Sequence, residues 1–84
     1  MVAKGIHDER YQAVVSALRD ARVANALSQA DLGKKLGQRQ QYVSKFEAGE
    51  RRLDIIEFID VANALDLDWA TLLEQFNSRP VGPA

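Results

Sequence analysis

The stretch from Ser28 to Gly49, SQADLGKKLGQRQQYVSKFEAG, constrains the fold more than any other part of the chain. Leu32, Leu36, Val43 and Phe46 are its apolar positions, and their spacing lets all four face one core when two short helices are joined by a tight turn. Gly37 ends the first of these helices, because glycine enters the left-handed conformation without steric cost. Gly33, one residue after the first buried leucine, removes a side chain where the second helix must pass closely. That helix restarts within two or three residues and crosses the first at a large angle, as a helix-turn-helix unit does. An ordinary helical hairpin in a small bundle is the competing reading, but a hairpin needs neither glycine and usually carries an apolar outer seam.

Around this unit the chain has room for little else. Its 84 residues make one domain, just above the size at which a single core suffices without metals or disulfides. There is no cysteine, which excludes a disulfide framework and a thiolate zinc site and fits a cytoplasmic protein. No apolar run approaches a membrane span, and MVAKGIHDER lacks the apolar segment of a signal peptide. With no cysteine, a single histidine, His7, near one end and no convergent acid-base pair, an enzyme is not expected. No cofactor, metal or small-molecule ligand is expected either.

A sequence pI near 5.7 is the wrong sign for a nucleic-acid binder, but the distribution of charge corrects that impression. Residues 33–52 hold Lys34, Lys35, Arg39, Lys45, Arg51 and Arg52 against Glu47 and Glu50, a net of plus four. Residues 53–84 hold Arg79 against Asp54, Glu57, Asp60, Asp66, Asp68 and Glu74, a net of minus five. Residues 1–32 balance. Positive charge is therefore gathered in residues 33–52, which orients the chain toward a polyanion.

Taken in order, residues 1–7 and 78–84 read as flexible ends and residues 8–77 as the folded domain. A first helix starts near Asp8 and carries Tyr11, Val14, Val15, Leu18 and Arg22 along its inner face. It stops around Asn25, which tolerates the left-handed turn, and Leu27 turns back into the core. Ser28 caps the second helix, Gln29 to Leu36, with Asp31 at the capping-box position. A third helix runs from Arg39 or Gln40 to Ala48. Asp54 and Glu57 cap a fourth, whose buried stripe is Ile55, Phe58, Ile59, Ala62 and Leu65. A fifth begins near Trp69 and presents Trp69, Leu72, Leu73 and Phe76, part for the core and part for a dimer contact.

At about 100° per residue the third helix turns Val43, Phe46 and Glu47 inward and Gln41, Ser44, Lys45 and Ala48 outward, with Gln40 at its tip. A helix face that is merely solvated would carry mixed Glu and Lys here, as the other helices do. Two adjacent glutamines instead suit base edges, since Gln pairs bidentately with adenine N6 and N7, and Lys45 can reach a guanine O6 or N7. Gln29, at a helix N-terminus, is placed to donate to a phosphate, and Arg51 and Arg52 to grip flanking phosphates; the alternative for each is a solvated side chain. Inward Arg22 and Glu47 each need a partner, and pairing them fixes the angle between the first and third helices.

Leu18, Arg22, Leu27, Ser28, Gln29, Leu32, Leu36, Gly37, Val43, Ser44, Glu47, Gly49 and the later VANALDLDWATLL together resemble the phage repressor and Cro type helix-turn-helix family, also called XRE-like. The match spans about residues 14 to 76. The resemblance implies an all-α, compact five-helix domain that binds operator DNA, usually as a homodimer. It implies base reading by Gln40, Gln41, Ser44 and Lys45, phosphate contacts by Gln29 and Tyr42, and a structural ion pair between Arg22 and Glu47; the cations Arg39, Arg51 and Arg52 complete the expected phosphate set on their own charge and place. Several positions depart from the family pattern. Gly33 replaces the commoner alanine, Gln38 an apolar residue, Arg39 a small capping hydroxyl, Ala48 a frequent asparagine and Leu53 a frequent proline.

The expected function is sequence-specific regulation of transcription, as a repressor whose two copies enter successive major grooves of a pseudo-palindromic operator. A protein-interaction module of the same fold, such as an antitoxin-like partner or a transcription adaptor, is the alternative. Its contact surface would be the acidic half with Trp69 to Phe76. A controller of a restriction system would use the leading chemistry in another setting.

Overall fold

The computed structural model describes residues 8–77, and these form five helices: α1 (Glu9–Ala24), α2 (Gln29–Leu36), α3 (Gln40–Glu47), α4 (Ile55–Ala64) and α5 (Trp69–Gln75). The ends expected to be flexible, residues 1–7 with His7 and residues 78–84, lie outside the described residues. No described helix is long and apolar enough to cross a membrane.

Four of the five helices begin with a side chain that satisfies free backbone N–H groups. The Asp8 carboxylate accepts from Arg10 N–H, and the Asp68 carboxylate from Ala70 and Thr71. Ser28 with Asp31 and Asp54 with Glu57 form reciprocal capping boxes. Only α3 starts without a side-chain cap, at Arg39.

The first four helices end alike. A residue with positive φ follows each, namely Ala26 (57°), Gly37 (67°), Gly49 (78°) and Asp66 (57°). The next N–H then reaches back across the last turn: Leu27 to Arg22 O, Gln38 to Gly33 O, Glu50 to Lys45 O and Leu67 to Ala62 O, at 2.8–3.1 Å. The first of these ends corrects the expectation for Asn25, whose φ is −87°, so the left-handed residue is Ala26. Asn25 serves the turn through its side chain, which donates to Ala21 O (2.8 Å) and to Leu65 O (3.3 Å).

The pentapeptide VANAL occurs twice, at residues 23–27 and 61–65, and the left-handed residue is its fourth member in one case and the residue after it in the other. What sets each end is which leucine must turn inward. After α1 it is Leu27, whereas after α4 Leu65 is itself buried and Leu67 makes the turn. Packing has decided between two endings that local sequence left equal.

Helix α2 packs on α3 and α4, α1 packs on α3, and α5 closes on α4. Between them lie Val15, Leu18, Leu32, Val43, Phe46, Leu53, Phe58, Val61, Ala62, Leu65 and Leu72, of which Leu32, Val43, Phe46, Val61 and Ala62 are wholly excluded from solvent. Two apolar expectations need correction. Ile55, expected in the buried stripe of α4, is exposed, and Val61 takes the inner face instead. Position 55 is the first of the helix, and the inner face runs through Phe58, Val61, Ala62 and Leu65. Trp69 likewise opens α5 on the solvent side, 38% exposed, while Leu72 is buried and Leu73 and Phe76 are half-buried against the core.

The loop between α3 and α4 is tied to α1. Leu53 is buried, and its N–H donates to the Tyr11 hydroxyl oxygen at 3.0 Å. This gives the departure from proline at position 53 a physical reason, since proline has no N–H to donate.

Candidate nucleic-acid interface

The α2–α3 turn is tight because Gly33 lies under it. A Cβ at position 33 would stand 3.0 Å from Gln38 O and 3.2 Å from the Arg39 carbonyl, so what needs the space is the backbone of the turn itself. The turn delivers Gln40 as the first residue of α3.

The inner side of α3 is anchored apolarly by Val43 and Phe46 and electrostatically by Glu47. Arg22 of α1 meets the Glu47 carboxylate with two N–H groups, Nε to Oε2 at 2.7 Å and Nη2 to Oε1 at 3.1 Å. A third donor, Arg22 Nη1, goes to Leu27 O at 2.7 Å. Both side chains are nearly out of solvent, 11% and 5% exposed, and neither is left with a buried unsatisfied atom. The fork-to-fork geometry fixes distance and orientation together.

The same carboxylate reaches the turn unit. Glu47 Oε1 accepts from the Gln29 amide (Nε2, 3.0 Å), and Gln29 Oε1 accepts from Gln40 Nε2 at 3.4 Å. Because a carboxylate only accepts, it decides which way the Gln29 amide faces, and thereby offers Gln40 an acceptor. Gln29, expected at a phosphate, is thus half-buried with one amide N–H committed to Glu47.

The outer side of α3 exposes Gln40, Gln41 and Lys45, while Ser44 is half-buried. Arg39 is exposed at its start and Arg52 beyond its end. Gln41 and Lys45 share a shallow concavity with Gly37, Gln38, Arg39, Tyr42 and Arg51.

Tyr42 and Arg51, both expected at phosphates, are occupied with each other. The Arg51 guanidinium carbon lies 4.6 Å from the centre of the Tyr42 ring, which meets Phe46 edge-on at 5.8 Å. Arg51 Nη2 donates to Glu57 Oε2 at 2.6 Å and Nη1 to Arg52 O at 3.3 Å. The Arg51 guanidinium, and then the Asp54 backbone N–H, hold the Glu57 carboxyl down to about 2. Burial, and then the Glu57 charge, push the Tyr42 phenol up to about 12.

Sequence reasoning gave Glu57 only its capping role and Tyr11 only a place on the inner face. A loop arginine six residues before a first-turn carboxylate was the available signal for the first. The Leu53–Tyr11 bond spans 42 residues and had no local signal.

Pairing leaves the charge segregation intact. Glu47 is taken by Arg22 and Arg51 by Glu57, both partners lying outside residues 33–52. Within that segment Lys34, Lys35, Arg39, Lys45 and Arg52, and against them Glu50, form no ion pair among the described residues, still a net of plus four.

Comparison with known proteins agrees with this geometry. The helix-turn-helix family model matches residues 18–72. Among solved structures, an XRE-family like protein from Pseudomonas syringae pv. tomato str. DC3000 is similar at 43% identity and a TM-score of 0.81, over 89% of this chain and 92% of that one. No curated protein matches. The matched span takes in the turn, α3 with its anchors, and the leucine-rich close, and the chain belongs to the XRE family of helix-turn-helix proteins.

Proposed function

We propose that the protein is a sequence-specific DNA-binding regulator of transcription, acting as a repressor, and that α3 is the element that enters the major groove. The observation that carries this reading is the exposed polar face of Gln40, Gln41 and Lys45 on a helix whose opposite face is locked by Val43, Phe46 and the Arg22–Glu47 pair. Gln40, Gln41, Ser44 and Lys45 read base edges. Arg39 and Arg52, with the remaining N–H of the Gln29 amide and the edge of Tyr42, face the backbone on either side. Phosphate contacts set position and the glutamines set sequence.

Two copies would read half-sites about 34 Å apart, one helical turn, and a dimer seated over a promoter would exclude polymerase. Selection of bound sites from random duplexes should return a symmetric motif with that spacing. Gln41→Ala should flatten preference at one or two base pairs by about 1–3 kcal/mol, whereas Arg52→Ala should weaken all sequences alike. Equal loss on every sequence with Gln41→Ala would mean that this residue does not read bases.

Exposed Ile55, Ile56 and Trp69 in the acidic part of the chain favour a second reading, a protein-binding surface on the same fold. Selection that returned no motif at low salt would move the function to that surface.

A further inference from the structure

We propose that Glu57 withdraws Arg51 from the DNA-contacting set, so that Arg51 acts as an internal strut holding Tyr42 and the exit of α3, and Arg52 alone carries the phosphate contact of that loop. The inference rests on the DNA-binding reading and specifies which cations of the site meet the polyanion.

Sequence alone treats Arg51 and Arg52 as equivalent neighbours, and the structure separates them. Arg52 is exposed and its guanidinium makes no hydrogen bond among the described residues. Arg51 is half-buried and restrained from three directions, by the Tyr42 ring, by Glu57 Oε2 and by Arg52 O.

Glu57 is itself not free to follow Arg51 outward. Its other oxygen, Oε1, accepts from Asp54 N–H, and its own N–H donates to the Asp54 carboxylate, so its side chain is part of the α4 capping box. A phosphate competing for Arg51 would have to break a 2.6 Å charge-assisted bond held at a helix start and unstack the guanidinium from Tyr42. It would also leave a carboxylate facing DNA.

Releasing Arg51 should therefore change how many phosphates the protein neutralises. That number is read by the slope of log K against log salt, about 0.9 per phosphate on duplex DNA. A loss of folded protein scales affinity at every salt concentration and leaves the slope in place, so the slope separates this role from simple stability.

The test compares the wild type with Arg51→Met, Arg52→Met and Glu57→Gln on one fixed duplex between 50 and 200 mM salt. Glutamine at position 57 can still accept from Asp54 N–H, so Glu57→Gln keeps the cap while removing the charge that holds Arg51. Arg51→Met should leave the wild-type slope unchanged even where affinity falls, and Arg52→Met should make it shallower by about 0.9. Glu57→Gln should make it steeper by about 0.9 as Arg51 becomes available. A shallower slope with Arg51→Met, or a wild-type slope with Glu57→Gln, would overturn the inference while leaving DNA binding standing. Absence of wild-type binding to any duplex at low salt would overturn both readings together.

Discussion

Ala26 and Asp66 sit in the left-handed region with ordinary side chains, at φ 57° each, where the other two helix ends of the same kind use Gly37 and Gly49. A Cβ in that region crowds the following carbonyl at a cost of about 1–2 kcal/mol per residue. Ala26 is exposed and its side chain packs on nothing that the core needs. Ala26→Gly should therefore stabilise the domain by about 1 kcal/mol, read as a rise of about 4–8 °C in melting temperature, although glycine is usually destabilising elsewhere. The carboxylate of Glu57 supplies a prediction in the pH dimension. Its folded value, about 2, lies below the ordinary 4.5, so its contribution is present above about 4.5 and is lost as pH falls toward 2. The stability difference between wild type and Glu57→Gln should shrink across that window in denaturant titrations, and a constant difference would show that the ion pair contributes nothing through its charge.

At the scale of elements, α3 is held at its end by the charge of Glu47 and along its inner face by Val43 and Phe46. Its start has no cap of its own, and the contact that steadies Gln40 comes from Gln29, which is oriented by Glu47 and so by Arg22 on α1. The ion pair therefore aligns α3 and the Gln40 side chain, proposed above to read bases, through a single carboxylate. Removing one partner strands a nearly buried charge, at a cost of about 3–5 kcal/mol, whereas replacing both with apolar residues of similar volume is close to neutral. Thermal unfolding of Arg22→Met, Glu47→Leu and the double variant should show the double variant more stable than either single one. The double variant should nonetheless lose affinity for its operator, because the Gln29 amide would no longer be held by a carboxylate.

For the whole molecule, what the sequence made legible is what short-range chemistry dictates. Periodicity located five helices, Ser28, Asp54 and Gly37 marked ends, and the two inward charges on α1 and α3 were paired because each needed an opposite charge. What was not legible depended on where distant parts arrive. Residue preference favoured Asn25 over Ala26 for the left-handed end of α1, and the core needing Leu27 overrode it; Ile55 and Val61 were equally apolar, and the position of α4 decided. The two loop arginines were distinguished only when Glu57 and Tyr42 came to the same place. Leu53 belongs to this second kind, and it offers a clock. Its amide lies in a loop yet is bonded to a tyrosine 42 residues earlier, in the first turn of α1, so the bond reports whether that turn is docked on the loop. In deuterated solvent the Leu53 amide should exchange only when the first turn of α1 leaves the loop, while the Arg52 amide beside it should exchange at the rate of an open loop. Tyr11→Phe should erase that difference, turning a slow proton into a fast one without moving a helix.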